Sequence, residues 1–253
     1  MLIDCFPFFN ELDLLDIRLA ELNPVVDRFV LVEAPTTHSG QPKPLHFALN
    51  KAHYAAYLDK ITHIVVALPE QAESAWVREN AQRSGIAYGL VGVPDDAVVM
   101  VSDADEIPRA TSLPERLDHG AVAVCEQALH FYKLNLRSSK VWHGTRIASA
   151  RTVAEHGPQW MRTARGQVLP DAGWHFSYLG GVLAVADKID AFAHQEYNRP
   201  AYTDLTRIGQ RMAEERDPYD RAGMILRRVP IDSSYPAYVQ QHQAALRERG
   251  HIR

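Results

Sequence analysis

Short apolar runs alternate with stretches whose apolar side chains recur every three or four positions, from the N-terminus to about residue 110. Residues 2–6, 29–33, 61–68 and 97–102 read as strands, short and rich in β-branched side chains. Between the first two, Leu12, Leu15, Leu19 and Leu22 recur at helical spacing. Asn10 reads as the N-cap of that helix, with Glu11 and Asp13 placing negative charge in its first turn. Asn23-Pro24 stops it. Residues 47–58 and 73–88 read as further helices. Strand alternating with helix predicts an α/β fold with a parallel sheet and right-handed crossovers. The second half is less regular. Residues 121–126, 131–136 and 146–150 read as strands, some antiparallel, and 188–197, 205–215 and 239–247 as helices. With no internal repeat and no linker, residues 1–253 read as one domain.

Composition narrows the class. Of 253 residues, 46% are hydrophobic and 23% charged, which is ordinary for a globular chain. The formal charge is −4, from 27 basic and 31 acidic residues, so no basic excess points to nucleic acid. Cys5 and Cys125 each lie in an apolar, strand-like context and read as free buried thiols. No Cys-x-x-Cys occurs, so a thiolate zinc site is not expected. No apolar run approaches the ~20 residues of a membrane helix. No leader pattern and no Asn-x-Ser/Thr site is visible, and the expectation is a cytoplasmic protein with at most peripheral membrane contact.

The most informative stretch is Val98-Val99-Met100-Val101-Ser102-Asp103-Ala104-Asp105-Glu106. An apolar strand runs into three carboxylates, and open α/β sheets bind ligands outside the carboxyl ends of such strands. A turn there brings Asp103 and Asp105 to one point. Two hard oxygen ligands suit Mg²⁺ or Mn²⁺, and so a phosphate-bearing substrate. An acidic turn or the cap of a short helix is the plain alternative.

Three other stretches stand out. In 73–83, Trp76, Asn80 and Arg83 share a helix face and offer an aromatic plate and a guanidinium. A packed Trp beside a surface Glu79–Arg83 pair explains them equally well. In 173–181, His175 lies between aromatics bracketed by glycines and would complete a metal shell or bind phosphate. In 33–46, Glu33 stands at a strand end and faces the same rim as Asp103, followed by a long polar loop. The chain lacks Gly-x-Gly-x-x-Gly, a P-loop, His-Glu-x-x-His and Gly-x-Ser-x-Gly.

Taken in order, several of these segments resemble glycosyltransferase family 17. The matching stretches are Asp4-Cys5-Phe6, Asn10-Glu11-Leu12-Asp13-Leu14-Leu15, Ile17-Arg18, Val32-Glu33-Ala34, Thr37-His38-Ser39-Gly40, Trp76-Val77-Arg78-Glu79, Val101 to Arg109, and Gly173-Trp174-His175-Phe176-Ser177. They span roughly residues 2–200. The resemblance implies a GT-A-like, Rossmann-type sandwich with a mostly parallel central sheet and helices on both faces. It implies a nucleotide-sugar half over about 1–110 and an acceptor half over about 111–253. It also implies a UDP-sugar donor, UDP-GlcNAc foremost, and transfer with inversion.

On that resemblance Asp103, Asp105 and His175 hold Mn²⁺ or Mg²⁺ on the diphosphate. Trp76, Arg78, Glu79, Arg109 and Asn10 contact the donor. Glu106, Glu33 and Glu126 are the candidate general bases. The animal members carry a membrane anchor and long flanks, whereas this chain begins at the first strand. The expected acceptor is therefore a lipid-linked or surface glycan precursor rather than a glycoprotein. A nucleotidyltransferase and a catalytically silent glycan-binding module are the alternatives. The first usually has a Gly-rich loop that Phe6-Pro7-Phe8-Phe9-Asn10 lacks, and the second has no need of the acidic run.

Overall fold

The computed structural model describes residues 1–253. The four apolar runs of the first half become β1 (Leu2–Pro7), β2 (Arg28–Glu33), β3 (Ile61–Val65) and β4 (Val98–Val101). They lie parallel in the order β3-β2-β1-β4. Each strand divides its side chains between two cores, as a period of two requires. Phe6, Phe29, Leu31, Val98 and Met100 face one side, and Ile3, Cys5, Val30, Val32, Val99 and Val101 the other.

Helices cover both faces. The first side takes α1 (Leu12–Leu22) through Leu15, Leu19 and Leu22, and α2 (His46–Asn50) through Phe47. Along the chain come α3 (Ala75–Ser84), α4 (Ile86–Gly89), α5 (Ala150–His156) and α6 (Pro158–Met161). The second side takes Ile86, Val153 and Met161 from the last three. Both cysteines are free and buried.

The rest of the ten-stranded sheet is mixed. Its strands are β5 (Glu106–Pro108), β6 (Val122–Phe131), β7 (Leu136–Ser149), β8 (Gln167–Leu169), β9 (Gly173–Ser177) and β10 (Leu226–Arg228). Antiparallel pairing joins β4 to β7, β7 to β6 and β9 to β5, while β6 runs parallel to β8 and then to β9. The sheet is thus wholly parallel in its first half and mixed in its second.

The β9–β5 contact depends on Gly173. Its φ is +142°, and a Cβ there would stand 2.2 Å from the Ile107 carbonyl oxygen. With no side chain at 173, β9 lies close enough for His175 to sit in register with Glu106. Beyond the sheet lie α7 (Val182–Ala191), α8 (Pro200–Thr203), α9 (Leu205–Ala213), α10 (Ala237–Gln241) and α11 (Gln243–Glu248). Val185 and Ile189 of α7, with Ile208 and Met212 of α9, pack on Leu129, Phe131 and Tyr178. Val239 and Leu246 pack against Leu14 and Ile17 of α1. No helix is long and apolar enough to cross a membrane.

Several local expectations are corrected. Asn10 does not cap α1. Glu11 Oε2 instead accepts from the backbone N–H groups of Phe9 and Asn10, each at 3.1 Å, and the helix starts one residue later. The 47–58 helix turns into a 3₁₀ segment at Lys51–Tyr57. The 73–88 helix divides at Gly85, which packs so tightly that a Cβ would meet Val66 at 2.8 Å. The 131–136 strand is not formed: residues 132–135 are the turn joining β6 to β7, with Tyr132 at φ 64°.

Candidate active site

The acidic turn is fixed from beneath by a buried pair. Arg18 on α1 and Asp4 on β1 are both fully buried. Arg18 donates from Nε to Asp4 Oδ2 at 2.7 Å and from Nη2 to Asp4 Oδ1 at 2.6 Å. The same guanidinium donates to Ser102 Oγ at 2.6 Å. It also donates to the carbonyl oxygens of Asp103 at 3.0 Å, Ala104 at 3.3 Å and Glu106 at 3.0 Å. A planar fork of donors suits this work, and a buried charge is tolerable only when so paired. Arg18 thereby holds the backbone from which Asp103 and Asp105 project.

A second support comes from Glu106, which is 1% exposed. Its Oε2 accepts from the Asp103 backbone N–H at 3.0 Å, and its Oε1 accepts from Trp142 Nε1 at 2.6 Å. Arg162 approaches the same Oε1 at 3.4 Å. The Phe176 N–H donates to the Asp105 carbonyl at 3.0 Å and ties β9 to the turn.

Above this frame the two carboxylates meet four cationic or ionisable groups. Asp103 Oδ1 is 2.9 Å from Arg83 Nη1, and its Oδ2 is 3.0 Å from Arg162 Nη1. Asp105 Oδ2 is 2.6 Å from Lys188 Nζ and 3.3 Å from His175 Nε2. Burial would raise the Asp103 carboxyl, but the Arg162 and Arg83 guanidiniums outweigh it and hold it well below the usual carboxylate range. Asp105 behaves alike, with Lys188 and His175 overriding its burial. Lys188 is pushed up in turn, since the Asp105 charge more than offsets desolvation. Asp103, Asp105 and Lys188 are therefore charged at neutral pH.

These groups line a cavity of about 510 Å³ outside the carboxyl ends of β1, β2 and β4. On the side of the parallel strands lie Phe8, Phe9, Thr36, Thr37, His38 and Gln82. Gln82, 4% exposed, donates to the Val32 carbonyl at 2.9 Å and the Phe8 carbonyl at 3.2 Å, joining the ends of β1 and β2. Its Oε1 lies 2.8 Å from His38 Nε2. On the opposite side Tyr178, Phe192, His194, Tyr197 and Tyr219 form an aromatic wall, in which Tyr197 stacks on Tyr219 at 3.9 Å between centroids. Charge reaches the aromatic wall too: Lys188 Nζ lies 5.5 Å from the Tyr178 ring centroid and the Arg221 guanidinium 5.4 Å from that of Tyr219.

The structure brings Asp103, Asp105, His175 and Glu79 to this cavity. The other sequence candidates lie elsewhere. Glu33 is fully buried, accepting from the Phe47 N–H at 2.9 Å and facing His63 at 3.0 Å, so it supports α2 and reaches no acceptor. Glu126 stands outside the cavity beside His143, 3.7 Å away. Glu106 lies under the turn rather than in the cavity. Arg78 donates to the carbonyls of Pro69, Glu70 and His38 and braces the 34–46 loop. Arg109 pairs with Asp171 and lies over the Trp174 ring at 4.3 Å. Trp76 packs edge-on against His194 at 4.5 Å and touches the cavity only through it. Asn10 is exposed and absent from the lining. Arg18, Gln82, Arg162 and Lys188 are the residues that the sequence pattern does not bring forward as candidates.

The donor set fits a hard divalent ion in kind. Asp103 and Asp105 stay ionised, Asp105 Oδ1 makes no hydrogen bond, and an imidazole nitrogen stands beside Asp105. As the side chains stand, each carboxylate is shared with a cation, and they form no ready-made cluster of three metal-binding groups.

An α/β sandwich with a charged cavity at the ends of its parallel strands is an enzyme architecture suited to phosphate-bearing ligands. Its particular family follows from comparison. The chain belongs to glycosyltransferase family 17, whose family model matches residues 1–225. Over 108 residues it is 33% identical to the β-1,4-mannosyl-glycoprotein 4-β-N-acetylglucosaminyltransferases of Homo sapiens and Rattus norvegicus. That match covers 39% of this chain, which spans only 20% of the length of each relative. Among solved structures, HddC from Yersinia pseudotuberculosis aligns with a TM-score of 0.36 at 10% identity, over 70% of this chain and 89% of that one. The inositol-1-phosphate CTP transferase from T. maritima aligns at 0.38 and 12%, over 82% and 95%. Likeness this loose says nothing about chemistry.

Proposed function

We propose that this protein transfers a sugar from a UDP-sugar, with inversion, to a hydroxyl of a glycan or lipid-linked saccharide. N-acetylglucosamine is the sugar favoured by the names of the curated relatives. The observation that carries the reading is the ionised Asp103–Asp105 turn, set among Arg83, Arg162 and Lys188 at the mouth of the parallel strands. Asp105, with Asp103 and His175 beside it, would hold Mn²⁺ or Mg²⁺. The bound ion would supply Lewis-acid stabilisation of charge on the departing diphosphate. Arg83 and Arg162 add fixed positive charge where that negative charge grows, which is worth most in a desolvated site. The aromatic wall offers flat faces to a saccharide.

Inversion in a single displacement needs a base for the acceptor proton. Four carboxylates line the cavity: Glu11, Glu79, Asp103 and Asp105. Arg83 engages Glu79 and Asp103, and Lys188 engages Asp105. Glu11 alone forms no direct ion pair, Lys43 and Lys188 acting on it only at longer range, and its Oε1 makes no hydrogen bond. Glu11 is the base in this reading, in place of Glu106, Glu33 and Glu126. Glu11→Gln is expected to lower kcat by about 10²–10⁴-fold, the usual worth of a general base, and to leave donor affinity within a factor of about two. A loss confined to donor affinity would remove Glu11 from the role.

A thermal-shift panel of nucleotide sugars, each with Mn²⁺ and with EDTA, tests the function. A donor present at ~100 times its Kd stabilises the fold by ~2.7 kcal/mol. The expected result is a Mn²⁺-dependent shift with UDP-GlcNAc. A shift with CTP or another free nucleotide triphosphate alone would favour nucleotidyl transfer. Shifts with free glycans only would favour the binding module.

A further inference from the structure

The cations around the acidic turn are not equivalent. Arg83 is 1% exposed and divides its guanidinium among Asp103, Glu79 at 2.9 Å and Gln159 at 3.1 Å. Arg162 bridges Asp103 and Glu106. Both are fixed by several partners. Lys188 makes one direct ion pair, with Asp105, feels the Glu11 carboxylate at longer range, and has a side chain 23% exposed. It reaches the turn from α7, which starts directly after Gly180 and Gly181. An ammonium on a four-carbon stem is a mobile point charge, unlike the two forked guanidiniums.

Lys188 also stands at the oxygen a divalent ion would share. A monovalent and a divalent cation cannot both sit within about 3 Å of one carboxylate oxygen without strong mutual repulsion. A diphosphate arriving beside that ion brings new negative oxygens within reach of the stem.

Resting on the donor-site reading above, we propose that Lys188 is the resident cation of Asp105 in the ligand-free protein. It passes to the donor diphosphate when a divalent ion takes its place. Lys188 thus has two duties of opposite sign: it competes with the metal when no nucleotide is bound, and it assists the nucleotide once the metal is in place.

The test uses the full chain and two binding measurements, neither of them activity. Free Mn²⁺ is followed by electron paramagnetic resonance without nucleotide, and UDP binding by calorimetry at saturating Mn²⁺. Lys188→Met is expected to tighten Mn²⁺ binding about tenfold and to weaken UDP binding about tenfold. Lys188→Arg, which keeps the charge, is expected to stay nearer the wild type in both and guards against a folding defect in the methionine variant. Weakening of both affinities in Lys188→Met would make the lysine a structural support of α7 and overturn the proposal. No change in either would overturn it equally, while wild-type binding of Mn²⁺ and UDP left the donor site standing. Absence of both ligands from the wild type would remove the donor site, and this proposal with it.

Discussion

Asp105→Asn is expected to lower the rate of sugar transfer by at least 10²–10³-fold, the loss seen when a single electrostatic contact to developing charge is removed, with little change in the fold. Asn keeps the shape and one acceptor oxygen, so Lys188 and His175 retain a hydrogen-bond partner. It loses the charge that holds them, and with it the ligand that a divalent ion needs. Lys188 is free to turn its ammonium toward the cavity, so no charge is stranded in the interior. The melting temperature is therefore expected to stay within about 2–4 °C of wild type, as a change of ~1 kcal/mol gives in a chain of this size. The pH of the assay matters little on the alkaline side. The Asp105 carboxyl is held below its unfolded value, so its ion pair is complete above about pH 4. That contribution is lost only as pH falls through the lower folded value. Measuring released UDP at neutral pH checks the rate. A variant retaining more than a tenth of wild-type activity would show that Asp105 is not a ligand in the reaction.

Arg18→Met carries the largest expected effect on stability. Removing one partner of a buried pair leaves the other charge uncompensated, at a cost of about 3–5 kcal/mol. Asp4, fully buried on β1, would be that charge. The three carbonyl oxygens at the acidic turn would each lose one donor as well, and that of Ala104 the only side-chain donor it has. Urea unfolding followed by circular dichroism should show a lower midpoint with an unchanged slope. Donor binding should fall in parallel, because the turn loses its anchor. The double variant Asp4→Leu, Arg18→Met separates the two effects. Removing both charges should restore much of the stability, whereas donor binding should remain weak because the turn is still unheld.

Much of the parallel half was legible because its signals are local. Residues 2–6, 29–33 and 97–102 are apolar on both faces, and the leucines of α1 recur at a helical period. The hairpin of β6 and β7 was legible only where it joins the rest of the sheet, over 121–126 and 146–150, because its alternation is interrupted between them. Register shifts fall between Val124 and Glu126 and between Ala128 and His130, and much of β7 is exposed and polar. A reading by period alone placed a strand on the turn around Tyr132 for that reason.

The site divides in the same way. Asp103 and Asp105 announce themselves, since the strand end and the carboxylates are adjacent in sequence. Of their partners, Arg83 and His175 stand out in the sequence as well, but Arg162, just past α6, and Lys188 on α7 do not, and only the fold brings all four to one wall. Glu33 illustrates the converse error. It stands at a strand end as expected, yet α2 closes over it and converts it to a structural acceptor. Arg18 did leave a trace, as a charge between Leu14 and Leu22 on the buried face of α1, matched by Asp4 inside an apolar strand. Two opposite charges at core positions of adjacent elements call for one another.

Hydrogen exchange with and without UDP-GlcNAc and Mn²⁺ tests the central claim most directly, because it reports where the donor sits. Ligand that orders a segment slows the exchange of its amides. Protection is predicted over residues 101–109, 173–178 and 182–191, which carry the acidic turn, His175 and Lys188. Residues 237–253, which line no part of the cavity, should be unchanged. Protection confined to the C-terminal helices, or none at the acidic turn under saturating donor, would contradict a nucleotide-sugar site at Asp103 and Asp105.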